Sequence, residues 1–181
     1  MLVEFKLLSC LFLLLFLIVA SIDGLYFHLY KYKLYARKDS RKEHLLHTLN
    51  SILFPWSIYF LFLDEFKGIY LWFGVFLTLI SLIIEYMDVF EENKSRKTIG
   101  GLTSLEYSMH FGMSALRSIY TTLILVSKPK EDWFITGGNI IQNTSSDLYM
   151  KYFLYPVILM GLFVAGLHLV LIFYKKEIKI I

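Results

Sequence analysis

Among 181 residues the sequence has one cysteine, three prolines and five histidines. The lone Cys10 excludes an internal disulfide and a thiolate cluster for zinc or iron–sulfur. There is no glycine-rich phosphate loop, nucleophile elbow or zinc-protease helix, so the chemistries those motifs announce are also excluded. Charged residues make up only 18% of the chain, against 57% hydrophobic and a mean hydropathy of +0.59, more apolar surface than one small water-exposed fold can hide.

The apolar residues fall into five blocks, 7–30, 47–63, 69–90, 105–126 and 152–174. Each approaches the ~20 residues that carry a helix across a bilayer, where every backbone amide must bond within its own segment. The fold class read from this is all-α, an integral membrane helical bundle forming one domain over 1–181. Its helices are expected at about 3–35, 41–63, 69–92, 104–127 and 151–175, with a polar loop at 128–150 on the outside. Pro55 and Pro156 are expected to kink the second and fifth helices without removing them. The first block has an alternative reading as a cleaved signal peptide, with Val19 and Ser21 before the cut. That would export the basic stretch 26–42, against the positive-inside tendency.

Lys and Arg sort by loop. Lys31, Lys33, Arg37, Lys38, Arg41 and Lys42 follow the first helix, Lys94, Arg96 and Lys97 the third, and Lys175, Lys176 and Lys179 the fifth, twelve on one side. The opposite side has Lys6, Lys67, Lys128, Lys130 and Lys151. The N-terminus is therefore expected outside and the C-terminus in the cytoplasm, in a bacterial-type plasma membrane. Twelve inward cations suit anionic lipid headgroups, and nucleic acid is not an expected partner. Tyr26, Tyr30, Tyr32 and Tyr35, interleaved with lysines, read as an aromatic belt at headgroup level. The match Asn143-Thr144-Ser145 in the outer loop is not read as a glycosylation site.

A pattern recurs. Ser40-x-x-Glu43-x-x-x-His47-x-x-x-Ser51-x-Leu53 returns 63 residues later as Thr103-x-x-Glu106-x-x-x-His110-x-x-x-Ser114-x-Leu116, and Ile22-Asp23 is matched by Ile84-Glu85. Two similar hairpins facing each other, plus a C-terminal helix, are expected from this repeat. Asp23 and His28 then lie at the inner end of helix 1, Glu43, His44 and His47 at the start of helix 2, Glu85 and Asp88 at the end of helix 3, and Glu106 and His110 at the start of helix 4. Residues three or four apart share a helix face, so Glu43 with His47, Glu85 with Asp88, and Glu106 with His110 can each point inward. Asp23 and His28 are five apart and diverge on a regular α-helix, unless the chain bends at Gly24.

Four helices offering inward carboxylates, two of them adding an imidazole one turn on, is a layout that resembles the ferritin-like carboxylate di-iron proteins. The spacing differs, Glu-x-x-x-His here against Glu-x-x-His there, which turns the imidazole to the other flank of the glutamate. The resemblance implies an analogous dinuclear site, with Asp23, Glu43, His47, Glu85, Glu106 and His110 as ligands to two iron, or manganese or zinc, ions. His28, His44, Asp88 and His168 stand in reserve. Glu43-His44-x-x-His47 also has a flavour of the histidine-rich membrane desaturases, but their repeated His-His pairs are missing.

Ordinary roles compete for the same residues. Ser40 with Glu43 and Thr103 with Glu106 each fit a capping box. Asp88, Glu91 and Glu92 fit a solvated helix end, and His44 an interfacial position. His28 fits headgroup contact as well as ligation, and His168 a hydrogen bond between helices. Arg117 lies mid-way along helix 4 with no acid expected at its depth, either donating to carbonyls freed at the Pro55 kink or binding an anionic lipid head. Three functions follow: a metal-dependent membrane oxidoreductase acting on a lipidic or quinone-like substrate, a non-catalytic transport or assembly protein with a structural polar cluster, or a b-type haem carrier using two of His47, His110 and His168.

Overall fold

A computed structural model describes residues 2–63, 65–136, 140 and 148–173. The Gly137-Gly138 and Asn143-Thr144-Ser145 stretches, and the C-terminal lysines 175, 176 and 179, lie outside the described residues.

Five long helices form: α1 (Leu2–Ser21), α2 (Arg41–Phe62), α3 (Ile69–Ser95), α4 (Ser104–Val126) and α5 (Leu148–Ile172). Four segments, Val3–Ala36, Arg41–Phe62, Ile69–Ser95 and Lys151–Ile172, are long and apolar enough to cross a membrane; α4, which carries His110 and Arg117, is not among them. Large apolar side chains such as Leu11, Phe76, Ile83 and Phe163 are exposed along the helices, a surface that water solvates poorly.

The boundaries follow local chemistry. Thr103, extended at φ −77° and ψ 156°, caps α4 with a complete capping box. Gly100 and Gly101, at φ +98° and +84°, turn the chain between α3 and α4 in the left-handed region that glycine enters without strain. Pro55 and Pro156 lie inside α2 and α5 without ending them.

Beyond Ser21 the chain does not bend at Gly24. It winds on as a π-helix over Ile22–Lys31, in which each amide bonds five residues back, as Tyr32 N–H does to the Phe27 carbonyl at 2.9 Å. Residues five apart thereby come onto one face, and this is what brings Asp23 and His28 together.

The close helix pairings differ from the expected hairpins. α1 packs on α4, and α2 packs on both α3 and α5, so the bundle is a pair, α1 and α4, laid against a trio with α2 in the middle. Neither α1 with α2 nor α3 with α4 is among the closely packed pairs of the described residues. The repeat shares a sequence spacing, but neighbours are chosen by side-chain shape. Gly74 is one case: a Cβ there would lie 2.9 Å from the Phe60 Cβ, so α3 reaches α2 this closely only with glycine.

The apolar core fills one end of the bundle. Leu13, Phe16, Ile58, Phe62, Tyr120 and Leu154 meet there. At the other end, where α1 and α3 finish and α2 and α4 begin, many charged or polar residues are buried, Asp23, His28, Glu43, His44, Asp88, Glu92, Arg96 and Glu106 among them. We call this the charged end.

Candidate metal centre at the charged end

The π-helical turn supplies Asp23 and His28, whose Oδ2 and Nε2 atoms are 3.4 Å apart. The first turns of α2 supply Glu43 and His47, one turn apart. His47 Nε2 lies 2.9 Å from Asp88 Oδ2 of α3, and the His28 and His47 rings meet edge to face at 4.1 Å. His110 of α4 stands between two carboxylates, its Nε2 3.1 Å from Asp23 Oδ1 and its Nδ1 2.9 Å from Glu92 Oε2. Four segments thus converge on one buried pocket of imidazole and carboxylate.

Two overlapping groups have metal-ligand chemistry and spacing: His28, Glu43, His47 and Glu92 form one, and Asp23, His28 and His110 the other, with donor atoms within 4.8 Å of one another in each. Bonds of ~2.0–2.2 Å to a common ion need only short side-chain movements from there. Three imidazoles with carboxylates form a donor set for iron, manganese or zinc. Both ring nitrogens of His28 and Asp88 Oδ1 are buried without a hydrogen-bond partner among the described residues. Buried polar atoms in native proteins are nearly always satisfied, so these unsatisfied atoms fit a site that binds something.

Not all the expected ligands join. Glu106 is fully buried, yet its Oε2 accepts from the Thr103 amide (3.1 Å), the Thr103 hydroxyl (2.8 Å) and the Tyr32 hydroxyl (3.1 Å), while its Oε1 faces Arg96 Nε at 3.2 Å. Glu85 accepts from Ser114 and from Arg117, both at 2.6 Å, deeper in the bundle. Neither belongs to the two donor groups. Arg117 therefore has an acid at its depth, contrary to expectation, and it pairs with that acid, with the Phe16 ring 5.4 Å from its guanidinium.

Other expectations change with burial. Glu92, read as a solvated helix end, is 3% exposed and a member of the cluster, and Asp88 is buried as well. Glu91 stays at the surface with Lys42 and Lys94. His44 is not interfacial: it is buried and stacks on His168 at 5.2 Å, tying α2 to α5 beside the cluster. The haem reading needs two imidazoles opposed across a porphyrin, whereas His47 and His110 face carboxylates and His168 faces His44.

Arg96 is the residue that the loop-charge count hid. It is fully buried, holds Glu43 at 3.0 Å through Nη1 and Glu106 at 3.2 Å through Nε, and lies over the Tyr32 ring at 4.7 Å. Ser95 Oγ also donates to Glu43. Burial alone would lower the Arg96 pKa, but the carboxylates of Glu43 and Glu106 outweigh it and raise the pKa, keeping the guanidinium charged. Tyr32, counted in the aromatic belt, packs its ring on Arg96 and donates its hydroxyl to Glu106.

From the cluster a cavity of about 480 Å³ runs into the bundle. Asp23, His47, Asp88, Glu92, His110 and His168 line its charged end, and Phe16, Phe54, Met113, Val157 and Met160 are among its apolar walls. The volume falls in the ~300–1,000 Å³ range of small-ligand sites.

No protein-family model, curated protein or solved structure matches this chain.

Proposed function

We propose that this chain is a five-span membrane enzyme that holds a dinuclear, iron-like metal centre at its cytoplasmic face and acts on a lipidic or quinone-like substrate. The observation that carries the reading is the junction of the apolar cavity with the buried histidine and carboxylate cluster: a greasy molecule lying in the cavity would present its end to the donor atoms. α4 spans despite His110 and Arg117 because both side chains find acidic partners inside the protein.

In this reading His28, Glu43, His47 and Glu92 would hold one ion, and Asp23 and His110 would hold the second. Bound there, iron or manganese would supply redox chemistry at the substrate's polar end, with dioxygen as the electron acceptor. The protein's own residues do the rest. Asp88 orients His47, Arg96 and Ser95 fix Glu43, and the apolar walls keep water from the reacting end.

Metal analysis of the protein purified in lipid nanodiscs tests this. Stoichiometric iron, manganese or zinc that is lost in His28→Ala and His110→Ala is expected. Folded wild-type protein that neither carries nor takes up any of the three metals would overturn it and leave the second reading, a structural cluster. That reading draws on the ion pairs of Glu43 with Arg96 and of Glu85 with Arg117, which also hold helices together.

A further inference from the structure

Resting on that reading, we infer that the substrate is a single-chain lipid with a small oxygen-bearing head, its one long chain lying along α5 and its head at the cluster.

The size of the cavity comes first. At about 480 Å³ the cavity lies in the ~300–1,000 Å³ range of small-ligand sites, room for one long acyl or isoprenoid chain. Its length agrees. Along α5 the lining runs from Pro156 to His168, and twelve residues of helix cover roughly 18 Å. Val157, Met160, Val164 and His168 fall on one face of α5 at helical spacing, apolar for most of the run and polar only at the charged end.

The charge pattern sets the head. Midway along the cavity Arg117 is already answered by Glu85, so the wall there asks for no ionic partner. At the charged end His168 adds an unsatisfied buried Nδ1 beside the metal donors, a hydrogen-bonding partner for an oxygen. A hydroxyl, aldehyde or carboxylate matches that end, where the imidazoles and carboxylates of the cluster line the cavity.

The entrance follows from packing. α1 with its π-helical continuation and α5 both line the cavity but are not closely packed on each other, and the lining residues Leu25 of that continuation and Met160 of α5 are 39% and 59% exposed. A chain enters sideways from the bilayer through this seam, without leaving the apolar phase.

Native mass spectrometry of the protein released from nanodiscs, loaded with a series of saturated fatty acids of increasing length, tests the inference. One chain per protein with a preferred length is expected. Val164→Phe should shift the preference to shorter chains and Val164→Ala to longer ones, so a failure of the larger side chain to fold still leaves the smaller one to decide. Absence of saturable binding to protein that carries its metal overturns the inference while sparing the metal reading. Binding whose length preference is the same in both variants also overturns it. Chain binding to a protein that takes up no metal upholds the cavity assignment and removes the metal reading alone.

Discussion

The two copies of the Glu-x-x-x-His spacing begin their helices alike and end in different roles. At α4, Thr103 is extended, and its hydroxyl and Glu106 exchange hydrogen bonds in a capping box, so both oxygens of that glutamate are committed. At α2, Ser40 sits at φ −101° and ψ 5° and makes no side-chain cap, and Glu43 turns away to Ser95, Arg96 and the donor group around His28. The histidines one turn on, His47 and His110, both reach the cluster. An identical spacing thus fixes which side of a helix two residues share, while the backbone angle of the residue before the helix decides whether the glutamate serves the helix or the site.

Arg96 joins the two copies, and removing it is the most severe way to break the comparison. Arg96→Met removes the guanidinium that pairs with both Glu43 and Glu106, and breaking a buried pair in this way costs about 3–5 kcal/mol. SDS-driven unfolding in mixed micelles, followed by circular dichroism, should show that loss. Arg96→Lys should recover only part of it, since one ammonium cannot copy Nε and Nη1 directed at two acids.

Which parts of this were legible in the sequence depends on the range of the forces involved. Helix positions were legible because block length and capping residues are local: α2 and α4 start within a residue of expectation. His47, His110 and Glu85 were recognisable as polar groups inside apolar runs, although Glu85 pairs with Arg117 and lies outside the two donor groups. The grouping of the donors was only partly legible, because the five-residue step from Asp23 to His28 has no shared face on an α-helix and acquires one only through the π-helical turn. Glu92 and Arg96 look like the solvated end of α3, and it is partners far along the chain, His110 for Glu92 and Glu43 and the Tyr32 ring for Arg96, that draw them inside. Helix pairing was illegible for the same reason. A repeat shows that two segments have similar faces, but which face meets which depends on contacts such as Gly74 against Phe60.

The next effect sharpens the comparison at the glutamates themselves. Glu43→Gln should weaken metal binding at least tenfold, about 1.4 kcal/mol, because it removes a negative donor from the His28, His47 and Glu92 group. Glu106→Gln should leave metal content unchanged and lower only the unfolding midpoint, since that residue contacts Thr103, Tyr32 and Arg96 alone among the described residues. Elemental analysis of both variants after dialysis against a common chelator distinguishes them. Equal loss of metal in the two would mean that the copies serve the site alike.

The smallest effect lies at the residues that precede the helices, and there the two copies should differ in sign. Thr103→Ala removes a working cap and should destabilise the protein by about 1 kcal/mol. Ser40→Ala removes a hydroxyl that is fully buried and has no hydrogen-bond partner among the described residues, so no bond is lost and a desolvated polar group disappears. Its effect should be zero or slightly stabilising under the same unfolding assay. A cost for Ser40→Ala equal to that of Thr103→Ala would mean that α2 is capped as α4 is, and Glu43 would then belong to its helix before it belonged to any metal.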